Sequence, residues 1–72
     1  MGDIVEIDVQ GLSCPEPVMI VMDAMDEYTG KTIRVIADEA HTRTNLEKML
    51  KHQGVQSETK EVGSHYEITF AV

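Results

Sequence analysis

The spacing of apolar residues changes repeatedly along this chain between the period of a strand and the period of a helix. Residues 4–9 alternate between apolar and acidic side chains, which predicts a half-buried strand. A long apolar run with helical spacing follows, and the same succession then repeats over residues 32–53. Residues 55–62 and 65–72 are both typical of strands. The sequence therefore predicts the order strand, helix, strand, helix, strand, strand.

The first predicted helix lies between a proline and a glycine. Pro15 suits the first helical position, where an N–H would have no partner in any case. Gly30 suits a left-handed cap at the other end. The acidic side chains Asp23, Asp26 and Glu27 should face water. The side chains expected to form the buried stripe are Val18, Val21, Met22 and Met25, with Met19 and Ile20 widening it.

The second strand is expected over residues 32–37 and is followed by a polar turn over residues 38–42. Thr44 and Glu47 are three residues apart, the capping-box spacing in which a hydroxyl and a carboxylate satisfy each other's backbone N–H groups. We therefore expect the second helix over residues 45–53. The side chains expected to be buried are Ile33, Val35 and Ala37 on the strand, and Leu46, Met49 and Leu50 on the helix.

The sequence predicts an α/β (α+β) fold, a two-layer sandwich in which two helices cover one face of a four-stranded mixed sheet. The first two strands should be parallel, and the last two should form a hairpin around Gly63 and Ser64. The last strand is the most apolar and belongs in the sheet interior, whereas the polar third strand suits an edge. A chain of 72 residues fits a single domain over residues 1–72. The uncovered face should be wet, with Glu6, Asp8, Arg34, Glu67 and Thr69.

Composition and charge argue against several classes of function. Six basic and 13 acidic residues give a formal charge of −7, which repels nucleic acid and favours protein partners with basic patches. A single cysteine excludes an internal disulfide and a thiolate zinc site, and His52 and His65 suggest no metal site. No targeting segment or membrane-length apolar run is evident, so we expect a cytoplasmic protein. We also expect a monomer without a cofactor, since no phosphate loop is present and no apolar residues are left over for a large permanent interface.

The candidate catalytic residue is Cys14, which lies just before the first helix. The first two strands should end at the same edge of the sheet, so Cys14 should lie near residues 38–42, where the second helix begins. Two helix N-termini would then stabilise a thiolate, with Arg43 as the nearest cation. The neighbouring carboxylate of Glu16 opposes this effect, so we expect the thiol pKa to be only moderately lowered. The residues expected to orient the thiol are Pro15, Glu16 and Pro17.

Each candidate also has a simpler interpretation. Cys14 could pack as a small buried hydrophobic residue. Asp38 and Thr42 are better explained as caps and turn formers than as catalytic groups. His41 could assist deprotonation of the thiol, although a surface histidine is the commoner outcome. Glu16 suits a solvated carboxylate in the first turn of a helix.

Residues 11–17, Gly-Leu-Ser-Cys-Pro-Glu-Pro, precede an apolar helix and resemble the Cys-Pro-X-Pro signature of the TusA/SirA-like sulfur-carrier family. The resemblance continues through residues 30–32 and 37–42 and through the final pair of strands. It implies a two-layer sandwich with the same element order. It also implies a cytoplasmic carrier whose Cys14 takes a persulfide sulfur from a cysteine desulfurase or a rhodanese-like donor. The sulfur would then pass to the next protein of a relay, toward thiolated tRNA or a sulfur-containing cofactor.

Two hypotheses follow. In the first, the protein is a sulfurtransferase in which Cys14 carries a persulfide between proteins. In the second, it is a non-enzymatic regulatory or protein-binding module whose Cys14 is structural or redox-sensing. Replacement of Cys14 by serine separates them, because it should abolish sulfur uptake in the first case and leave partner binding intact in the second.

Overall fold

The computed structural model of the protein describes residues 4–12 and 16–72. Pro15, the predicted first residue of helix 1, lies outside the described residues. No helix in the described part of the chain is both long and apolar enough to cross a membrane. The elements follow the predicted order: β1 (Ile4–Asp8), α1 (Glu16–Glu27), β2 (Thr32–Ala37), α2 (Ala40–His52), β3 (Ser57–Val62) and β4 (His65–Ala71).

The four strands form one mixed sheet in the order β1-β2-β4-β3. β1 and β2 are parallel, while β4 is antiparallel to both of its neighbours. The apolar β4 therefore lies in the interior and the polar β3 at an edge, which confirms both predictions. The two helices cover one face of this sheet, so the molecule is the predicted α+β sandwich.

Two glycines adopt the backbone conformation that the sequence predicts. Gly30 has a φ of 90°, so the chain leaves α1 through a left-handed residue. Gly63 has a φ of 59°, whereas Ser64 has no positive φ. A positive φ at the first turn residue alone is the pattern of a type II′ turn, whose twist suits the two strands it joins.

The core lies between the sheet and the helices. Ile33 and Val35 of β2 and Ile68 of β4 are fully buried, and Ala37 and Phe70 extend the same face. Each helix contributes side chains from successive turns to this layer. Their buried hydrophobic side chains are Val21 and Ala24 of α1, and Leu46 and Leu50 of α2.

The predicted buried stripe of α1 is partly wrong. Val21 is buried, but Met22 is 44% exposed and Met19 is 59% exposed. The side chains that face the sheet include Pro17 and Ala24. Residues 17–22 are all apolar, so hydrophobicity alone does not distinguish the buried side of this half of the helix. Met19 and Met22 thus lie on the exposed side of α1.

The predicted start of α2 is also wrong. The helix begins at Ala40, with Glu39 as an N-cap residue that makes no side-chain capping hydrogen bond. Thr44 therefore lies inside the helix and forms no capping box. Thr42, which we expected in a cap or turn, is in the first turn and only 6% exposed. It lies one helical turn before Leu46, so the buried stripe extends further toward the N-terminus than the capping pattern indicates.

The face of the sheet without helices carries a row of polar side chains. Arg34 of β2 lies 3.6 Å from the carboxylate of Glu6 on β1 and 4.0 Å from that of Glu67 on β4. His65 approaches the same Glu67 at 3.4 Å. These groups are partly exposed, as expected for a wet face. Each such pair contributes at most about 1 kcal/mol to stability.

Candidate functional site

The carboxyl ends of β1 and β2 form the edge of the sheet at which both helices begin. Val9 continues the pairing beyond β1, because its N–H donates to the carbonyl of Ile36 at 2.9 Å. The chain then turns, and the N–H of Leu12 returns to the carbonyl of Val9 at 3.3 Å. A second turn contact joins the N–H of Gln10 to Asp8 Oδ1 at 2.9 Å. The segment that leads into Cys14 is thus ordered by backbone contacts as far as Leu12.

A long-range hydrogen bond joins the loops that follow the two strands. The N–H of Gly11 donates to Asp38 Oδ1 at 3.4 Å, although the two residues are 27 apart in sequence. The predicted proximity of the two loops is confirmed for these residues. Cys14 itself lies outside the described residues, as do Ser13 and Pro15. Asp38 therefore acts as a link between loops rather than as a helix cap.

The first turn of α1 contains a buried proline and backbone N–H groups that have no acceptor within the helix. Pro17 is fully buried, with a relative exposure below 2%, and it fixes the start of α1 against the core. Glu16 is exposed. The first four N–H groups of a helix have no partner within it, and Pro17 lacks an N–H. Counted from Pro15, the residue before α1, the remaining donors are the amides of Glu16 and Val18, at the helix end that carries a partial positive charge.

The first turn of α2 contributes one exposed and one buried candidate. His41 is exposed, and Thr42 is buried beneath it on the side that faces the core. The first turn of α2 is completed by a hydrogen bond from the N–H of Arg43 to the carbonyl of Glu39, at 3.0 Å. His41 is therefore the first-turn side chain of α2 that is open to a ligand or a partner, and Thr42 has a structural position.

Arg43 belongs to a polar cluster that the sequence analysis did not predict. Its Nη1 atom lies 3.0 Å from Glu47 Oε1, and its guanidinium carbon lies 5.1 Å from the centre of the Tyr66 ring. The other carboxylate oxygen of Glu47 accepts a hydrogen bond from the hydroxyl of Thr59 on β3. The i, i+4 spacing of Arg43 and Glu47 is a sequence signal that could have revealed the ion pair. The cluster fastens α2 to β3 and β4.

Two methionines of α1 form an exposed apolar surface close in sequence to Cys14. Met19 and Met22 are three residues apart and lie on neighbouring turns, at 59% and 44% exposure. Asp23 and Asp26 follow them and are exposed as well. We expected no apolar residues left over for a large permanent interface, and the exposed large apolar side chains of α1 are Met19, Met22 and Ile20. Exposed apolar side chains within an acidic rim are typical of a contact surface for another protein.

The described residues include no group of three or more His, Asp or Glu side chains arranged to hold a metal ion. Four surface depressions in this part of the chain are open and have volumes between about 180 and 430 Å³. The one between the ends of α1 and α2 is lined by Met22, Asp23, Met25, Asp26 and Gln53.

Comparison with known proteins identifies the family of this fold. The family described as sulfurtransferase TusA matches residues 5–72 of the chain. The crystal structure of a SirA-like protein from Desulfitobacterium hafniense is 34% identical in sequence, with a TM-score of 0.82. That match covers 94% of this chain and 95% of the other. The chain therefore belongs to the sulfurtransferase TusA family, whose members carry sulfur in relays with other proteins.

Proposed function

We propose that this protein is a sulfur-relay carrier of the cytoplasm that accepts a persulfide sulfur on Cys14 and passes it to an acceptor protein. Membership of the sulfurtransferase family supports a role in sulfur transfer. Cys14 is the only cysteine of the chain, so it is the only side chain able to form a persulfide. The donor would be a cysteine desulfurase or a rhodanese-like protein. The sulfur would end in thiolated tRNA or in a sulfur-containing cofactor.

The proposed transfer consists of two displacements on sulfur. In the first, the Cys14 thiolate attacks the outer sulfur of the donor's persulfide. A new S–S bond forms at Cys14, the S–S bond of the donor breaks, and the donor's cysteine leaves as a thiolate. In the second, an acceptor nucleophile attacks the outer sulfur on Cys14, and the Cys14 thiolate is the leaving group. No external oxidant or reductant is consumed in either step.

The observation that carries this proposal is the match to the sulfurtransferase TusA family over residues 5–72, which include Cys14. The hydrogen bond between Gly11 and Asp38 joins the two loops at the edge where both helices begin. Cys14 follows Gly11 by three residues and precedes Glu16 by two. A thiolate or persulfide in this interval is close in sequence to the free amides of Glu16 and Val18. The partial positive charge at the N-terminus of α1 stabilises the anionic forms of the Cys14 thiol and of its persulfide.

The neighbouring residues have supporting roles in this proposal. Pro15 and Pro17 stiffen the backbone around the thiol, and the burial of Pro17 fixes the start of the helix that follows. Glu16 stays solvated. Asp38 holds the Cys14 loop against the loop after β2.

Around the second helix, the exposed His41 is available to a partner's groups, while the buried Thr42 supports the first turn of α2. Arg43 stabilises the second helix through Glu47 and Tyr66.

The partner surface in this proposal includes Met19 and Met22. A protein that reaches a thiol just before α1 must also contact the first turns of that helix. The apolar pair, followed by Asp23 and Asp26, complements a donor surface with an apolar centre and a basic rim. The charge of −7 would steer the encounter toward such a surface.

The test is an intact-mass measurement after incubation with cysteine and a cysteine desulfurase, repeated with a rhodanese and thiosulfate. We expect the protein to gain the mass of one sulfur atom and to lose it on treatment with dithiothreitol. Cys14→Ser should gain nothing, whereas Ser13→Ala, a matched change at the adjacent position, should gain sulfur like the unmodified protein. Absence of any gain with both donors, while Cys14→Ser still binds a partner, would favour the regulatory or binding module instead.

A further inference from the structure

The free edge of β1 borders a groove on the side of α1. The groove has a volume of about 270 Å³, slightly below the roughly 300 Å³ at which sites for small molecules begin. A groove of this size can accept side chains of a partner protein. Its lining combines an apolar floor with two carboxylates: Ile7, Ile20, Ala24 and Tyr28, with Asp23 and Glu27.

The backbone of β1 is paired on one side only. Within the described part of the chain, β1 is an edge strand whose partner is β2. Val9 directs its N–H toward Ile36 of β2, and the backbone groups of a strand alternate between its two sides. The N–H and C=O groups of Ile4, Glu6 and Asp8 therefore point to the open side. Such a row of groups can pair with an added strand.

Four carboxylates border this edge. Glu6 and Asp8 are exposed on the outer face of β1, and Asp23 and Glu27 are exposed on the α1 side of the groove. The cation that approaches this group in the described residues is Arg34, which lies 3.6 Å from Glu6. The edge therefore attracts basic side chains on both faces of an incoming strand.

We propose that the free edge of β1 binds an extended segment of a partner protein in which basic and apolar side chains alternate. An added strand directs successive side chains to opposite faces of the sheet. One set enters the groove over Ile7, Ile20 and Tyr28, where apolar side chains fit. The other set lies beside Glu6 and Asp8, where lysine or arginine fits. This inference goes beyond the sulfur relay and does not depend on Cys14.

A second copy of the chain fits this edge poorly. Pairing of β1 with β1 of another molecule would bring Glu6 and Asp8 of both copies together, and like charges in cross-strand pairs destabilise a sheet. Each copy also carries a net charge of −7. The acidic edge thus selects against self-association and in favour of a basic segment.

The test uses a capped seven-residue peptide in which lysine and valine alternate, titrated into the full chain and followed by backbone amide chemical shifts. A control peptide has the same composition but carries its lysines and valines in two blocks. We expect saturable shifts confined to β1 and the groove side of α1, and binding about tenfold tighter than that of the block peptide. Equal affinity of the two peptides, or shifts spread over all acidic surfaces, would overturn the proposal.

Two charge reversals provide a matched control in the protein. Glu6→Lys, at the proposed edge, should weaken binding of the alternating peptide about tenfold. Glu58→Lys makes the same change in charge on β3, the opposite edge of the sheet, and should leave binding within about twofold. Equal effects of the two variants would contradict the proposal. Thermal unfolding checks that both variants are folded, and no sulfur donor is present, so the outcome is independent of the relay.

Discussion

The backbone N–H of Gly11 lies 3.4 Å from the Oδ1 atom of Asp38, which follows it by 27 residues. This contact joins the loop that leads into Cys14 to the loop that leads into α2. Both loops follow parallel strands whose carboxyl ends share one edge of the sheet. A side chain in the second loop therefore constrains the position of the first.

Asp38→Ala should slow sulfur acceptance by Cys14 while leaving the fold nearly intact. The contact is exposed, so its loss should change the free energy of unfolding by less than about 0.5 kcal/mol. Without the acceptor for the Gly11 N–H, the position of the loop that leads into Cys14 should become less defined. The rate should fall up to about tenfold, less than the roughly hundredfold that a 1 Å misplacement can cost. Single-turnover sulfur transfer from a persulfidated donor measures the rate.

Asp38→Asn is the matched control, because an amide oxygen can still accept the Gly11 N–H. Its transfer rate should stay within about twofold of the unmodified protein, since a surface substitution of this kind changes little. Equal slowing by both variants would mean that the carboxylate charge, rather than the link to Gly11, is what matters.

The buried side of α1 can be tested by substitutions at adjacent positions. Val21 is fully buried, so Val21→Ala should lower the free energy of unfolding by about 2 kcal/mol, from two lost methyl groups at about 0.8 kcal/mol each and the cavity they leave. Met22 is 44% exposed, so Met22→Ala should cost less than about 0.5 kcal/mol. Urea denaturation measures both values. Similar losses at both positions would support the stripe predicted from the sequence, in which Val21 and Met22 are both buried.

Glu47 holds α2 against the sheet, so its removal should destabilise the protein. Glu47→Ala breaks the ion pair with Arg43 and leaves the hydroxyl of Thr59 without this acceptor. The Glu47 side chain is 33% exposed, and this exposure weakens both interactions. We expect a loss of about 1 kcal/mol in the free energy of unfolding. Glu47→Gln retains an acceptor for Thr59 and should lose less, and an equal loss in chemical denaturation would contradict the role of that hydrogen bond.

The order of elements and the sheet topology followed from the sequence because they depend on strong periodicities. Ile33, Val35 and Ala37 alternate without interruption, and Gly63 followed by Ser64 leaves few other turn geometries. The position of β4 between β2 and β3 followed from its apolar pattern. These features depend on many residues that all indicate the same structure.

The start of α2 and the buried side of α1 were predicted less well, because each prediction depended on one local sequence pattern. The capping-box spacing of Thr44 and Glu47 suggested a helix start, but Glu47 binds Arg43 and Thr59 instead. Tertiary contacts thus compete with local capping for the same carboxylate. In α1, the exposed Asp26 lies on the side opposite Ala24. The acidic residues would have identified the buried side better than the apolar ones.

At the site, the topology predicted that the loops after β1 and β2 meet, and the contact between Gly11 and Asp38 agrees. The polar cluster around Arg43 was missed because Tyr66 and Thr59 are distant in sequence and their approach depends on how α2 packs. The thiol-orienting roles of Pro15, Glu16 and Pro17 and the chemistry of Cys14 stay predictions.

Met19→Glu should impair transfer from the donor protein without affecting stability. The side chain is 59% exposed, so the substitution leaves the core unchanged, but it places a charge at the centre of the proposed contact surface. We expect kcat/KM for the persulfidated donor to fall about tenfold, equivalent to roughly 1.4 kcal/mol.

Ile4→Glu is the matched control on β1, where the side chain is 48% exposed. Like Met19→Glu, it replaces a large apolar side chain by glutamate, but at a position outside α1. The kcat/KM for the persulfidated donor should therefore stay within about twofold of the value for the unmodified protein. Equal losses in the two variants would indicate a general effect of added negative charge on the encounter.

The most direct measurement follows one sulfur atom through the protein. The protein is loaded by a cysteine desulfurase with cysteine that carries a heavy sulfur isotope, and peptide mass spectrometry then locates the label. The account predicts one labelled sulfur on the peptide that contains Cys14, and loss of that label when unlabelled acceptor thiol is added. Label that stays on Cys14 in the presence of the acceptor, or that never reaches Cys14, would contradict a carrier function.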